Sequence, residues 1–192
     1  YTFSDPLTLT LTLHKGMAKH VIRDRGIPTA PFAVIEDPDE IASVTLPFPL
    51  FAKPVAEGTG KGISARSKIK NEGELGEVCF SMLREYGQPV LLETYLPGRE
   101  FTVGILGNGK KARSLGVLEV VLRGHAEPAA YSYHNKKEYE TLVEYRLVED
   151  REALKAAHVA LASWKALGCR DGGRVDLRSD GGGMPCFMEV NP

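Results

Sequence analysis

The residues best equipped for chemistry lie near the end of the chain. They fall in Gly172-Gly173-Arg174-Val175-Asp176-Leu177-Arg178 and in Pro185-Cys186-Phe187-Met188-Glu189-Val190-Asn191, with Asp180-Gly181-Gly182-Gly183 between them. Side chains two apart on a strand share a face. Arg174 therefore points with Asp176, and Glu189 with Asn191. If the glycine turn makes the two strands neighbours, two carboxylates, an amide and a guanidinium converge on one sheet face. Magnesium takes few protein oxygens and keeps phosphate and water as its other ligands. Asp176, Glu189 and Asn191 thus suit one or two magnesium ions bridged by a nucleotide, and Arg174 would meet phosphate oxygens with forked donors. The alternative is a solvent-facing hairpin with ordinary charges. Glu189 and Asn191 end a very apolar strand, which favours a face that lines something.

Two further segments carry recognisable chemistry. In Lys53-Pro54-Val55-Ala56-Glu57-Gly58-Thr59-Gly60-Lys61-Gly62, a strand ends at a lysine and enters a glycine-rich loop. Glycines let backbone N–H groups turn toward a phosphate, and the lysine adds charge. The loop matches neither G-x-x-x-x-G-K-[ST] nor G-x-G-x-x-G, and a plain flexible turn is the competing reading. Ile63-Ser64-Ala65-Arg66 after it reads as a strand, which would make the loop a hairpin lid. In the third segment, the apolar run Val90-Leu91-Leu92 breaks at Glu93-Thr94-Tyr95-Leu96-Pro97-Gly98 before Arg99-Glu100-Phe101 begins another strand. Backbone groups left unpaired at such a junction can read an adenine edge, and Glu100 can accept from ribose hydroxyls. An ordinary strand-turn-strand with exposed acids is the alternative. His14, His20, His125, His134 and His158 lack ligand spacing, and no G-x-S-x-G elbow is present.

These segments need elements to hold them. Helices are predicted over residues 15–25, 72–86 and 151–167. The second has apolar positions Leu75, Val78, Cys79, Met82, Leu83 and Tyr86 on one face, with Asn71 and Glu74 as caps and Gly87 as its stop. The third has Asp150 as cap and Leu154, Ala157, Leu161 and Trp164 as its stripe. Strands are predicted over residues 32–35, 50–53, 90–95, 101–106, 114–122, 174–178 and 186–190, and glycine turns make the second half antiparallel. Leu7-Thr8-Leu9-Thr10-Leu11-Thr12-Leu13 alternates like a strand, although its leucines also recur at i, i+4. The class is α+β.

Composition bounds the rest. A length of 192 residues fits one sizeable domain or two small lobes sharing a ligand. A net charge of −1 offers no bulk basic field for nucleic acid or an anionic membrane. No apolar run approaches the roughly 20 residues of a membrane helix. No signal peptide is visible, so a cytoplasmic location is expected. Cys79, Cys169 and Cys186 form no zinc pattern and read as reduced core thiols. Tyr1 at the start and Asn191-Pro192 at the end suggest a piece of a longer chain.

The order of these parts resembles the ATP-grasp superfamily, and in detail the D-alanine–D-alanine ligase family. The similarity spans nearly the whole chain. It runs from Tyr1-Thr2-Phe3-Ser4 through His14-Lys15, Gly26-Ile27-Pro28-Thr29-Ala30-Pro31 and Phe51-Ala52-Lys53-Pro54. It continues through Glu57-Gly58-Thr59, the segment from Leu92 to Val103, and Arg174-Val175-Asp176 to Glu189-Val190-Asn191. The resemblance implies two lobes, each with a mainly antiparallel sheet and helices, and ATP between them. The lobes would be residues 15–97 and 98–192, after a remnant or linker at 1–14 from a missing N-terminal domain. It makes Leu7–Leu13 helical, against the alternation.

Carried across by position, Lys15 and Lys53 would contact ATP phosphates, and Glu57, Gly58, Thr59 and Gly60 would form the loop over the triphosphate. Glu93, Thr94 and Leu96 would surround the adenine, Tyr95 would pack on it, and Glu100 would bind ribose. Arg174 would stabilise an acyl phosphate and a tetrahedral oxyanion. Asp176, Glu189 and Asn191 would hold two Mg2+ ions, with Mn2+ as a substitute. Tyr131-Ser132-Tyr133-His134-Asn135-Lys136 resembles a mobile loop whose Lys136 faces phosphate.

The implied reaction is ADP-forming: ATP phosphorylates a carboxylate, and an amine attacks the acyl phosphate. Small amino acids are the implied substrates, cell-wall precursor synthesis the implied setting, and a homodimer of the full-length protein a further expectation. Departures from the family pattern are Lys137 where a tyrosine is common, Gly60 in place of a serine, and the lack of Ser-Pro-Gly after Asn191. Two other functions stay open: an ATP-grasp ligase for another amino acid or peptide, and a nucleotide-binding module without turnover.

Overall fold

The leucine–threonine repeat at the start of the chain folds as helix α1, Pro6–Leu13. Its local chemistry explains why alternation loses. Asp5 accepts from the Thr8 N–H at 2.9 Å, Pro6 opens the first turn, and Thr10 and Thr12 donate back to the Pro6 and Thr8 carbonyls. The helix buries Thr8 and Thr12 and exposes Leu7, Leu9 and Leu13. His14 then caps α2, Lys15–Asp24, by accepting from the Met17 N–H. These elements come from a computed structural model that describes residues 2–123 and 142–192. No helix among the described residues is long and apolar enough to cross a membrane.

The chain packs into two units. The larger comprises Tyr1–Ala30, Leu96–Val121 and Tyr145–Pro192. It is built on a five-stranded sheet ordered β7-β6-β5-β8-β9, with β5 Glu100–Leu106, β6 Arg113–Leu122, β7 Val143–Leu147, β8 Gly172–Ser179 and β9 Pro185–Asn191. The pairs β5–β6, β5–β8 and β8–β9 are antiparallel. Along β5, Phe101, Val103 and Ile105 are buried while Glu100, Thr102 and Gly104 are not, which is the period-two pattern of a half-covered sheet. The buried face joins Val175, Leu177, Phe187 and Val190 in a core with Ile22 of α2 and Trp164 of α4, Arg151–Ala166.

Asp150 caps α4 by accepting from Glu152 and Ala153 N–H groups. The expected stripe of this helix holds at Trp164, with Ala157 and Leu161 partly buried against the core, and is corrected at Leu154. Leu154 is 57% exposed, and the buried face is Ala153, Ala156, Val159, Ala160, Ser163 and Trp164. At about 100° per residue, Ala153 falls under Trp164 after three turns and Leu154 is rotated well off that face. The small alanines let the helix lie close to the sheet, and Trp164 supplies the bulk.

The smaller unit comprises Pro31–Tyr95 and Leu122–Glu144. Its four-stranded sheet is ordered β1-β4-β2-β3, with β1 Phe32–Ile35, β2 Leu50–Pro54, β3 Lys68–Ile69 and β4 Val90–Thr94. All its pairs are antiparallel. Helix α3, Glu72–Tyr86, covers one face and buries Leu75, Val78, Cys79 and Met82 against Leu50, Ala52, Ile69, Val90 and Leu92. Gly87 ends it in the left-handed conformation, φ 59°.

Two local expectations are corrected. Among the described residues the Asn71 side chain makes no cap bond, and Glu74 instead accepts from the Lys70 N–H at 2.8 Å. Residues 63–66 form no strand, because Ser64 caps a short 3-10 turn at Ala65–Ser67. Strands β3 and β7 are additions to the expected set. Two residues carry no periodicity in β3, and Val143-Glu144-Tyr145-Arg146-Leu147 of β7 is mostly exposed. Cys79, Cys169 and Cys186 are buried and joined by no disulfide.

Candidate functional site

In the larger unit the β8–β9 hairpin forms as the glycine turn requires, with Asp180 N–H on the Met184 carbonyl at 3.0 Å. Its register pairs Arg174 with Asn191 and Asp176 with Glu189. All four therefore lie on the sheet face that α4 leaves uncovered. Asp176 is their centre. Its Oδ2 accepts from Arg174 Nε at 3.4 Å and from Asn191 Nδ2 at 3.3 Å. Its Oδ1 accepts from Thr102 Oγ1 at 2.5 Å, across the β5–β8 pair. Lys15 reaches the same face from the first turn of α2, with Nζ 3.7 Å from Glu189 Oε2. Glu100 and Arg178 continue the polar face, 3.5 Å apart.

The donor set fits a hard cation. Among the described residues no group of three or more His, Cys, Asp or Glu is placed to hold a metal ion by itself. The cluster holds two carboxylates and an amide, the number of oxygens magnesium uses when phosphate and water complete its shell. Asn191 turns its nitrogen to Asp176, and a half-rotation of the amide would present oxygen instead.

In the smaller unit Thr94, paired with Leu50, falls on the α3 face, while Lys53 and Glu93 lie on the sheet face opposite α3. Lys53 and Glu93 form a buried ion pair at 2.6 Å, with side chains only 4% and 7% exposed. Phe32, Val55 and Leu91 form a small apolar cluster on that face. Tyr95 follows β4, with its ring 6.4 Å from Phe51 and the Lys68 ammonium 3.8 Å from its centroid. The hydroxyl of Thr94 is buried without a hydrogen-bond partner among the described residues. The chain passes from the smaller unit to the larger between Tyr95 and Leu96, so Leu96 and Glu100 belong to the larger unit.

The glycine loop is a pair of tight turns, with Lys61 N–H on Gly58 O and Ile63 N–H on Gly60 O, both 3.0 Å. Thr59 has φ 55°, unusual for a β-branched residue and a mark of a constrained loop. Gly62 has φ 81°, and a Cβ there would meet Pro54 at 2.5 Å. Gln88 fastens the loop's entry: its Oε1 accepts from Ala56 N–H at 2.8 Å and its Nε2 donates to Glu57 at 3.0 Å. Glu57 also pairs with Lys61 at 3.2 Å.

Sequence reasoning missed Thr102 and Gln88. Alternation along β5 offered Thr102 as a face residue, but only strand register places it beside Asp176. Nothing in the sequence pointed to Gln88. Lys136 and Lys137 lie outside the described residues, as does the rest of the expected mobile loop.

Known proteins share this architecture. A family model described as "D-ala D-ala ligase C-terminus" matches residues 21–192. The D-alanine–D-alanine ligases of Bordetella petrii and Bordetella pertussis are 32% and 34% identical to the chain, covering 100% of it and 57% and 59% of those proteins. The chain thus spans less than two thirds of the curated relatives it matches. Among solved structures, a Bacillus anthracis D-alanine–D-alanine ligase complexed with ATP superimposes with TM-score 0.74 at 24% identity, over 100% of this chain and 58% of that one. The VanG D-Ala:D-Ser ligase of Enterococcus faecalis gives 0.78 at 25% identity, over 98% and 55%. Two antiparallel sheets with helices make this the ATP-grasp fold of those ligases.

Proposed function

The chain belongs to the family described as D-ala D-ala ligase C-terminus, and we propose that it is the ATP-grasp portion of an ADP-forming carboxylate–amine ligase of the D-alanine–D-alanine type. The observation that carries this reading is the cluster of Lys15, Thr102, Arg174, Asp176, Glu189 and Asn191 on one open sheet face. Asp176, Glu189 and Asn191 would hold Mg2+. The metal would supply charge neutralisation for the polyphosphate.

The protein's own groups do the rest. Arg174 is half exposed and reaches beyond Asp176, so its remaining donors are available to an acyl phosphate and to the oxyanion that amine attack creates. Lys15 and Lys53 bind phosphate oxygens, and the Glu57–Gly60 loop presents backbone N–H groups. Glu93, Thr94 and Leu96 surround the adenine, Tyr95 packs on it and Glu100 accepts from ribose. Lys136 supplies a further cation for the phosphate. The substrates are small amino acids, the setting is cytoplasmic cell-wall precursor synthesis, and the full-length protein forms homodimers.

A second reading, another amino acid as nucleophile, is favoured by the likeness to a protein named D-Ala:D-Ser ligase. ADP release with D-alanine alone, against D-alanine plus D-serine, separates the two. The test of the site is Mg2+-dependent ATP binding in Asp176→Ala and Glu189→Ala. Each is expected to lose it, and normal Mg-ATP binding in both variants refutes the metal assignment.

A further inference from the structure

We propose that Lys19 is a positioning residue for Glu189: it fastens the β-bulge that turns this carboxylate onto the polar face of the larger unit's sheet. The inference rests on the metal reading above. Its starting point is a parity problem. Phe187 and Glu189 are two apart on β9 and should share a face. Yet Phe187 is fully buried in the core opposite Leu177, while Glu189 lies opposite Asp176 on the other face. The register shifts between these two pairs, with Met188 as the extra residue. Without the bulge, regular alternation would send either Phe187 to the polar face or Glu189 into the core. The metal cluster therefore depends on one irregularity in β9.

That irregularity is held from the side by the segment before β1 and by α2. The Phe187 N–H donates to the Pro28 carbonyl at 2.8 Å, and Thr29 and Phe187 form a parallel bridge. The Phe187 carbonyl accepts from Thr29 Oγ1 at 3.0 Å and from Lys19 Nζ at 3.2 Å, and Lys19 also donates to the Thr29 hydroxyl. Lys19 is 0% exposed. A buried ammonium is tolerated only where its protons are bound, and here two go to the bulge and its neighbour. One turn earlier on the same helix face, Lys15 meets the Glu189 carboxylate. Helix α2 thus grips both ends of the bulge, the backbone through Lys19 and the side chain through Lys15.

Mn2+ titration followed by electron paramagnetic resonance in the presence of ATP tests this, together with amide hydrogen exchange at residues 186–191. Lys19→Met keeps the length and removes the donors. It is expected to weaken Mn2+ binding about tenfold or more, the usual scale for groups that orient metal ligands. Exchange at residues 187–190 should quicken, and metal-free ATP affinity should stay within about twofold. Thr29→Val should shift both signals the same way by a smaller factor, and it decides the matter if Lys19→Met does not fold. Combined with Glu189→Gln, Lys19→Met should weaken Mn2+ no further than Glu189→Gln alone. Unchanged Mn2+ affinity in Lys19→Met and Thr29→Val, with Glu189→Gln impaired, overturns the inference. Unimpaired Mn2+ binding in Glu189→Gln overturns the metal reading and this inference with it.

Discussion

Removing either partner of the Lys53–Glu93 pair should be far more damaging than removing both. At 2.6 Å and an effective dielectric constant near 20, the attraction is about 6 kcal/mol. Desolvating two side chains that are 4% and 7% exposed costs several kcal/mol each, so the pair as a whole is near balance. Glu93→Leu takes the carboxylate from a buried ammonium, and Lys53→Met takes the ammonium from a buried carboxylate. Each should destabilise the smaller unit by about 3–5 kcal/mol, and the double variant should lie within about 2 kcal/mol of the parent. With a urea dependence of about 2 kcal/mol per molar, each single variant lowers the midpoint by roughly 1.5–2.5 M. Trp164 belongs to the larger unit and is a poor reporter of the smaller one. Cys79 is the better probe. It is fully buried in the smaller unit's core, and burial pushes its thiol up to about 11. Maleimide trapping at pH 8 against urea, with the labelled peptide identified by mass, separates Cys79 from Cys169 and Cys186. Single variants costing under about 1 kcal/mol, or losses that simply add in the double variant, would refute the buried-pair reasoning.

Other outcomes follow from particular contacts. Gly173→Ala would set a Cβ 2.3 Å from the Asn191 carbonyl oxygen and 2.9 Å from the Trp164 ring, so a loss of about 1–3 kcal/mol or more is expected by urea unfolding read from Trp164 fluorescence. Thr94→Val removes a buried hydroxyl that has no partner among the described residues, so stability measured by urea unfolding should hold within about 1 kcal/mol of the parent. The Arg99 guanidinium, followed by the Ala153 and Glu152 N–H groups, holds the Asp150 carboxyl at about 2, below its ordinary 3.8. A depressed carboxylate contributes stability above its unfolded value and loses it as pH falls through the folded one. The acid-side loss should therefore lie between about pH 4 and 2, and Arg99→Ala should flatten it in urea midpoints taken across that range.

Much of this protein was legible in one dimension. Helix α3 and its buried face follow from the spacing of Leu75, Val78, Cys79 and Met82, and its end follows from Gly87, because local periodicity and a left-handed glycine act within a few residues. Strand parity put Arg174 with Asp176 and Glu189 with Asn191, and the Asp180–Gly183 turn made the two strands neighbours. Where local signals competed, they failed. In α1 the alternation of Leu and Thr suggested a strand, and the Asp5 cap with threonine back-bonding produced a helix with Leu7, Leu9 and Leu13 outside. In α4 the choice between Ala153 and Leu154 depended on which side of Trp164 the sheet lay. Tertiary structure alone decided that Thr102 stands beside Asp176, that Gln88 ties the glycine loop, and that Lys53 is buried against Glu93. It also decided the bulge at Met188, which lets Phe187 stay in the core while Glu189 faces the cluster. Each joins residues through strand register or a contact far along the chain. Register is set by the summed burial of a whole sheet face, which no local pattern of residue types records.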